Sequence, residues 1–385
     1  MLIVNADIRT MAQRDYPHGF VEVRGEKIMT VGPMEDCPPL DGQEVLDARG
    51  WIAVPGFVDA HSHIGMWEDG LGFEGDDGNE DTDPATPHLR GLDGVNPMDR
   101  AFAEARASGV CTVVTGPGSA NPIAGQMCAL KTLGRRVDDM VVREPLAMKM
   151  AMGENPKSSY HEKQQGPATR MAIAAVLREH LAKAQKYQEQ LERALEDEDL
   201  EEPEYDAKCE ALLPLLKGQI QAHIHAHRAD DMFTGLRIAR EFGFAPVLIH
   251  GTEGYLVADL LAKEGVPVVV GPLMGARTKP ELAQSDIRAA GILNRAGVPI
   301  AICTDHPEVP ENYLLLSAQM AVQGGLDQKA ALRAITIEPA RICGIQDRVG
   351  SLEPGKDADL LLFRQEPMET REPPQVVIIS GQRVV

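Results

Sequence analysis

Cysteine is scarce and unpatterned in this chain. Six occur in 385 residues, at Cys37, Cys111, Cys128, Cys209, Cys303 and Cys343, with no Cys-x-x-Cys. That argues against a disulfide framework, and a chain this long can bury a core without cross-links. The thiols are expected to be reduced and buried. Basic residues are also short, with 38 Lys and Arg against 58 Asp and Glu and a formal net charge of −20. So acidic a chain disfavours nucleic acid or an anionic membrane surface as partner. No apolar run is long enough to span a bilayer, and Met1-Leu2-Ile3-Val4-Asn5-Ala6-Asp7 lacks a basic region followed by a long apolar segment. A soluble cytoplasmic protein with a small-molecule partner is expected, and a homo-oligomer is compatible with it. The glycine-rich Gly116-Pro117-Gly118-Ser119-Ala120-Asn121 is not followed by Gly-Lys-Ser or Gly-Lys-Thr, so it is not a P-loop. It reads as a strand-to-helix turn or a backbone anion nest.

Histidines, by contrast, are placed with a pattern. The run Val54-Pro55-Gly56-Phe57-Val58-Asp59-Ala60 ends in His61-Ser62-His63. Side chains alternate along a strand, so both imidazoles face one way and can grip one divalent metal. Further apolar runs end in His225-Ala226-His227-Arg228, in Ile249-His250-Gly251 and in Thr304-Asp305-His306-Pro307. All deliver metal-ligand residue types at their C-terminal ends.

The first 53 residues read as short strands (2–4, 20–23, 27–31) split by Gly, Asp and Pro turns, and 359–363 and 375–379 have the same texture. Neither end can bury its apolar faces alone. They are therefore expected to meet in one small β-sandwich domain, 1–53 with 347–385. Residues 54–346 alternate apolar strands (110–115, 146–150, 219–226, 245–250, 266–270, 298–304) with helical patterns (97–108, 230–242, 256–264, 279–296, 328–335). Repeated β-then-α units imply a parallel sheet, and about eight of them close a (β/α)8 TIM barrel, an α/β fold with its active site at the C-terminal strand ends. One segment breaks the rhythm. Leu177, Leu181, Ala184, Leu191 and Leu195 form a helical stripe that ends in the acidic run 196–202, and a second helical stretch follows. This predicts a helical hairpin inserted at about 168–217, its acidic run a solvated turn.

The string Pro55 to His63, the pair Thr304-Asp305, and Gly350-Ser351-Leu352-Glu353-Pro354-Gly355-Lys356-Asp357-Ala358-Asp359-Leu360 together resemble the amidohydrolase superfamily over nearly the whole chain. The likeness is closest to imidazolonepropionase-like proteins and related metal-dependent dipeptidases. It implies a metal-dependent hydrolase acting on C–N bonds, an amide or cyclic amide, through a hydroxide bridging two divalent ions, expected to be zinc. His61 and His63 would bind the first ion. Lys149, in Leu146-Ala147-Met148-Lys149-Met150-Ala151-Met152-Gly153, is a lysine too costly to bury charged in an apolar strand. The resemblance implies that it is carboxylated by CO₂ and bridges both ions; Glu154 is the rival bridge, and an outward-facing lysine the plain alternative. The resemblance also implies His225 and His250 as ligands, and Asp305 as both ligand and general base. His227 would then contact substrate, and His223 would be a hydrogen-bonded core residue.

The fifth strand lacks the His-x-x-Glu of deaminase members: three residues after His225 stands Arg228, and after His227 stands Asp230. That disfavours deamination of a purine or pyrimidine. Arg90, Arg228 and Arg277 are candidates to hold a substrate carboxylate. The acidic loop 68–84 is expected to fold over the barrel mouth. Ester, lactone or phosphotriester hydrolysis on the same centre, and a non-catalytic barrel scaffold, are the competing readings.

Overall fold

The computed structural model describes residues 1–68 and 70–385. Two eight-stranded sheets organise the chain. The strands of the central sheet are β1 (Phe57–Ser62), β2 (Val110–Thr115), β3 (Ile123–Lys131), β4 (Val141–Ala151), β5 (Gln221–Ala226), β6 (Pro246–His250), β7 (Val268–Val270) and β8 (Ile300–Ile302), in that spatial order. Hydrogen bonds from Asp305 N to His61 O (3.1 Å) and from His63 N to His306 O (2.9 Å) draw the segment after β8 to β1, so the sheet curls into a barrel. Every residue of β1, β2, β7 and β8 is buried. That suits strands packed on both faces, which read as unbroken apolar runs.

One strand departs from the parallel pattern. β3 runs antiparallel to both β2 and β4. Residues 116–122 join β2 to β3, and a parallel crossover needs a dozen residues or more. The glycine-rich segment is therefore a strand-to-strand turn, not the strand-to-helix turn expected of it. A second departure is 279–296, expected as one helix. It is a 3₁₀ turn (Pro280–Leu282), then a helix confined to Ala289–Arg295. The loop thus freed lies across the barrel mouth.

The inserted hairpin is present between β4 and β5 as helices Arg170–Glu196 and Ala207–Leu216. Ile173, Leu177, Leu181 and Ala184 are buried, but Leu195 is 80 % exposed, so the apolar stripe ends a turn earlier than its spacing suggested. Thr169 and Asp206 cap the two helices by accepting backbone N–H groups. Among the described residues no helix is long and apolar enough to cross a membrane. All six cysteines are free, five of them buried.

The other sheet takes strands from both ends of the chain. Its spatial order is Lys27–Pro33, Tyr16–Arg24, Leu2–Ile8, Ile52–Pro55, Leu360–Phe363, Val376–Ile379, Gln382–Arg383, with Val45–Asp47 paired to Leu2–Ile8. The period-two rule divides these strands between two cores. Leu360, Leu362, Val376 and Ile378 pack within the terminal sheet, while Leu361, Phe363, Val377 and Ile379 join the barrel core. Asp357 and Asp359 fasten the joint. Both pair with Lys131 at the end of β3, and Arg348 donates to Asp357 (2.8 Å).

Candidate metal centre

The histidines expected at strand ends converge at the C-terminal mouth of the barrel. They form two groups whose ligand atoms lie within 4.8 Å of one another: His61, His63 and Asp305, and His225, His227 and His250. In the first group, His61 Nε2 and His63 Nε2 each lie 3.4 Å from Asp305 Oδ1. Asp305 Oδ2 faces the second group, 4.0 Å from His250 Nε2. Burial alone would raise the Asp305 pKa, but His250, His61 and His63 outweigh it and hold the carboxyl well below its usual range. Asp305 and His250 both have positive φ, 56° and 73°. A positive φ is uncommon outside glycine, and Asp and His are among the residues that enter it most readily.

Support for the two groups differs. Beneath the first, Asp59 Oδ1 accepts the His61 N–H (3.0 Å), and Asp59 Oδ2 accepts the Thr304 N–H (2.8 Å) and hydroxyl (2.7 Å). Burial raises Asp59 to about 6. Burial and Asp59 together push its neighbour Glu311 well above the carboxylate range. In the second group each ring is held by Nδ1: His225 by Ser119 Oγ (2.9 Å), His227 by Thr252 Oγ1 (2.7 Å), His250 by Gly271 O (2.7 Å). His63 Nδ1 likewise donates to Gly116 O (2.7 Å), whereas His61 Nδ1 has no hydrogen-bond partner among the described residues. Metal-binding imidazoles characteristically engage one nitrogen this way and leave the other for the ion. Burial holds His225 and His227 well below the usual histidine pKa, and His250 below it. Neutral rings are the ligating form. The donor set, imidazole nitrogens with one shared carboxylate, fits divalent transition-metal ions.

Lys149 is fully buried, with Nζ 3.1 Å from His61 Nε2. Burial lowers its pKa to about 8. Glu154, the rival bridge, lies outside both groups; its Oε2 accepts the Glu281 N–H (3.1 Å). His223 is buried beside Lys149 in register, but neither of its ring nitrogens has a hydrogen-bond partner among the described residues. The hydrogen bond expected of it is not made, and burial with Lys149 lowers its pKa to about 3, so the ring stays neutral. His227 stands within the second group rather than beyond it.

A cavity of about 400 Å³ opens onto both groups, with Trp67, Asn79, Ser119, Asn155 and Lys279 among its lining. Trp67 stands edge-on to His63, ring centroids 5.0 Å apart. A Cβ on Gly118 would come within 2.7 Å of that indole, so only glycine fits the turn there. The loop 68–84 does fold over the mouth: Gly118 N donates to Gly78 O (2.8 Å) and Ala120 N to Asn79 Oδ1 (3.1 Å). Its Asp69 lies outside the described residues. The three candidate arginines do not line this cavity. Arg228 is forked onto Asp230 (2.9 and 2.8 Å), Arg90 bonds Glu144 (2.9 Å), and Arg277 bonds Ser285 O (2.6 Å). Sequence reasoning missed Lys279 and Glu281 because both lay inside a segment read as helix. It missed Ser119 because a glycine-rich turn gave no sign of facing β5.

The sequence model of the amidohydrolase family matches residues 180–384. A crystal structure of an amidohydrolase from Thermotoga maritima is 42 % identical, covers 100 % of this chain and 99 % of its own, and superposes with a TM-score of 0.95. The chain belongs to the amidohydrolase family. Its membership makes it a hydrolase of carbon–nitrogen bonds, as the motifs implied. This amidohydrolase is also 25 % identical to the imidazolonepropionase of Erwinia tasmaniensis, over 92 % of this chain and 90 % of that one. It is 29 % identical to the amidohydrolase tasK of Hapsidospora irregularis over 88 % of its length, but spans 37 % of that larger protein.

Proposed function

We propose that the protein hydrolyses an amide or cyclic amide of a small molecule at a two-ion centre held by His61, His63, Lys149, His225, His250 and Asp305. The barrel, 54–346, would carry the chemistry, and 1–53 with 347–385 would form the supporting domain. One observation carries the reading: Asp305 lies between two imidazole groups, one oxygen 3.4 Å from His61 and His63 and the other 4.0 Å from His250. Divalent ions bound there, zinc by donor type, would acidify water toward neutrality and polarise the scissile carbonyl. The protein's own part is positioning and proton transfer. Asp305, held ionised by three histidines, can accept a proton from water and return it to the departing nitrogen. Lys149 at a pKa of about 8 supplies neutral amine for CO₂ addition, which supports its assignment as a carboxylated bridge. Relatives named for an imidazolone, a cyclic amide, favour that substrate class. Purified protein should carry about two divalent ions per chain. It should hydrolyse some member of a panel of N-acyl amino acids, dipeptides and cyclic ureides, and lose that activity to a chelator. Full turnover by metal-stripped protein would refute the proposal.

A further inference from the structure

The mechanism above leaves one ion pair at the cavity mouth unused. Lys279 and Glu281 lie on the segment following β7, and the Glu281 side chain is 1 % exposed. Its Oε2 accepts the Glu154 N–H (3.1 Å), which fixes the plane of the carboxylate. Its Oε1 lies 2.9 Å from Lys279 Nζ, 3.6 Å from His227 Nε2 and 3.8 Å from His225 Nε2. Lys279 Nζ also donates to Asn155 Oδ1 (2.7 Å), and Asn155 Nδ2 donates to His225 Nε2 (3.3 Å).

This is an arrangement of converging acceptors. His225 Nε2 accepts from Asn155, so it and Glu281 Oε1 are acceptors that face each other, and His227 Nε2 faces the same carboxylate oxygen. Lone pairs aimed at one another in a buried site are unfavourable unless a positive charge stands among them. Imidazole nitrogens and a carboxylate oxygen are donor types that zinc-like ions take. The ammonium 2.9 Å from the same oxygen opposes such an ion twice, by competing for the carboxylate and by repulsion.

We propose that Glu281 and His227 join His225 and His250 as ligands of the second divalent ion, and that Lys279 is the charge that limits how tightly this ion is held. The proposal rests on the two-ion reading and deepens it: His227, expected at the substrate, becomes a ligand, and the second site gains a carboxylate of its own.

The test is equilibrium dialysis of chelator-stripped protein against buffered Zn²⁺, with bound metal counted by mass spectrometry. Wild type should bind two ions. Glu281→Gln should keep the first and weaken the second at least tenfold, and His227→Ala should do the same. Lys279→Met should change the second constant in the opposite direction, tightening it at least threefold. Unchanged constants in Glu281→Gln, or weaker second-ion binding in Lys279→Met, would overturn the proposal. Should Glu281→Gln fail to fold, Lys279→Met decides alone, because a merely structural ion pair predicts looser binding when it is broken. A wild type that binds a single ion would instead refute the two-ion reading, and this site with it.

Discussion

The two groups, one of two histidines and an aspartate and the other of three histidines, are braced in different ways. His61 and Asp305 are set through the backbone: Asp59 ties the His61 N–H to Thr304, one residue before Asp305, and so fixes where the barrel closes. The second group is set through its rings, each Nδ1 engaged by Ser119, Thr252 or Gly271. Backbone bracing fixes where an imidazole sits, whereas ring bracing also fixes the direction of its other nitrogen, and the carbonyl partner of His250 fixes that ring's tautomer as well. The first group should therefore fail when a ligand or its strand is disturbed. The second should lose affinity by degrees as individual hydrogen bonds are removed.

The largest effect should come from breaking the first group outright. His61→Ala combined with His63→Ala should abolish activity and lose that group's ion, while the second group keeps its own. Bound metal and residual turnover measured together check this, and loss of both ions would mean the groups do not bind independently.

Next in size is the residue the groups share. Asp305→Asn should fold normally, since asparagine tolerates the positive φ of 56° found there. Turnover should fall by about 10²- to 10⁴-fold, the usual cost of losing a general base. A variant within tenfold of wild type at matched metal content would move the base elsewhere, to His306 for example.

Ring bracing can be tested more gently. Ser119→Ala and Thr252→Val each remove one Nδ1 partner and should weaken second-ion affinity by about 10- to 100-fold. First-ion affinity should not change. Equal losses at both sites would erase the distinction between the groups.

The smallest effect concerns the backbone brace. Burial and the neighbouring Asp59 raise the Glu311 pKa well above the usual carboxylate range, so at mildly acidic pH the neutral substitution Glu311→Gln should alter stability by no more than about 1 kcal/mol. A carboxyl whose folded pKa is raised stabilises the fold below its unfolded value, near 4.5, and that contribution is lost as pH rises toward the folded value. The variant should therefore gain on wild type with increasing pH. Urea unfolding at mildly acidic and alkaline pH checks the sign.

Much of this was legible because the ligands sit in tight motifs. His61 and His63 are two residues apart on a buried strand, and Asp305 follows an apolar run, so the chemistry and its strand-end location could be read locally. The antiparallel β3 was missed, although the short glycine-rich link before it was a usable signal. Lys279 and Glu281 were hidden by apolar spacing that imitates a helix across a loop. Ser119, more than a hundred residues from His225, carries no local trace of its partner.

The sequence by itself determined which residues could ligate an ion and that they would stand at strand ends. Alternation of side chains and the cost of burying unpaired polar groups are local constraints. Only the tertiary structure decided which of them meet. Barrel closure brings Asp305 to His61, the turn between β2 and β3 carries Ser119 to His225, and the loop after β7 lays Glu281 against His225 and His227. Those distances depend on strand register and loop path, which are set by the packing of the whole barrel.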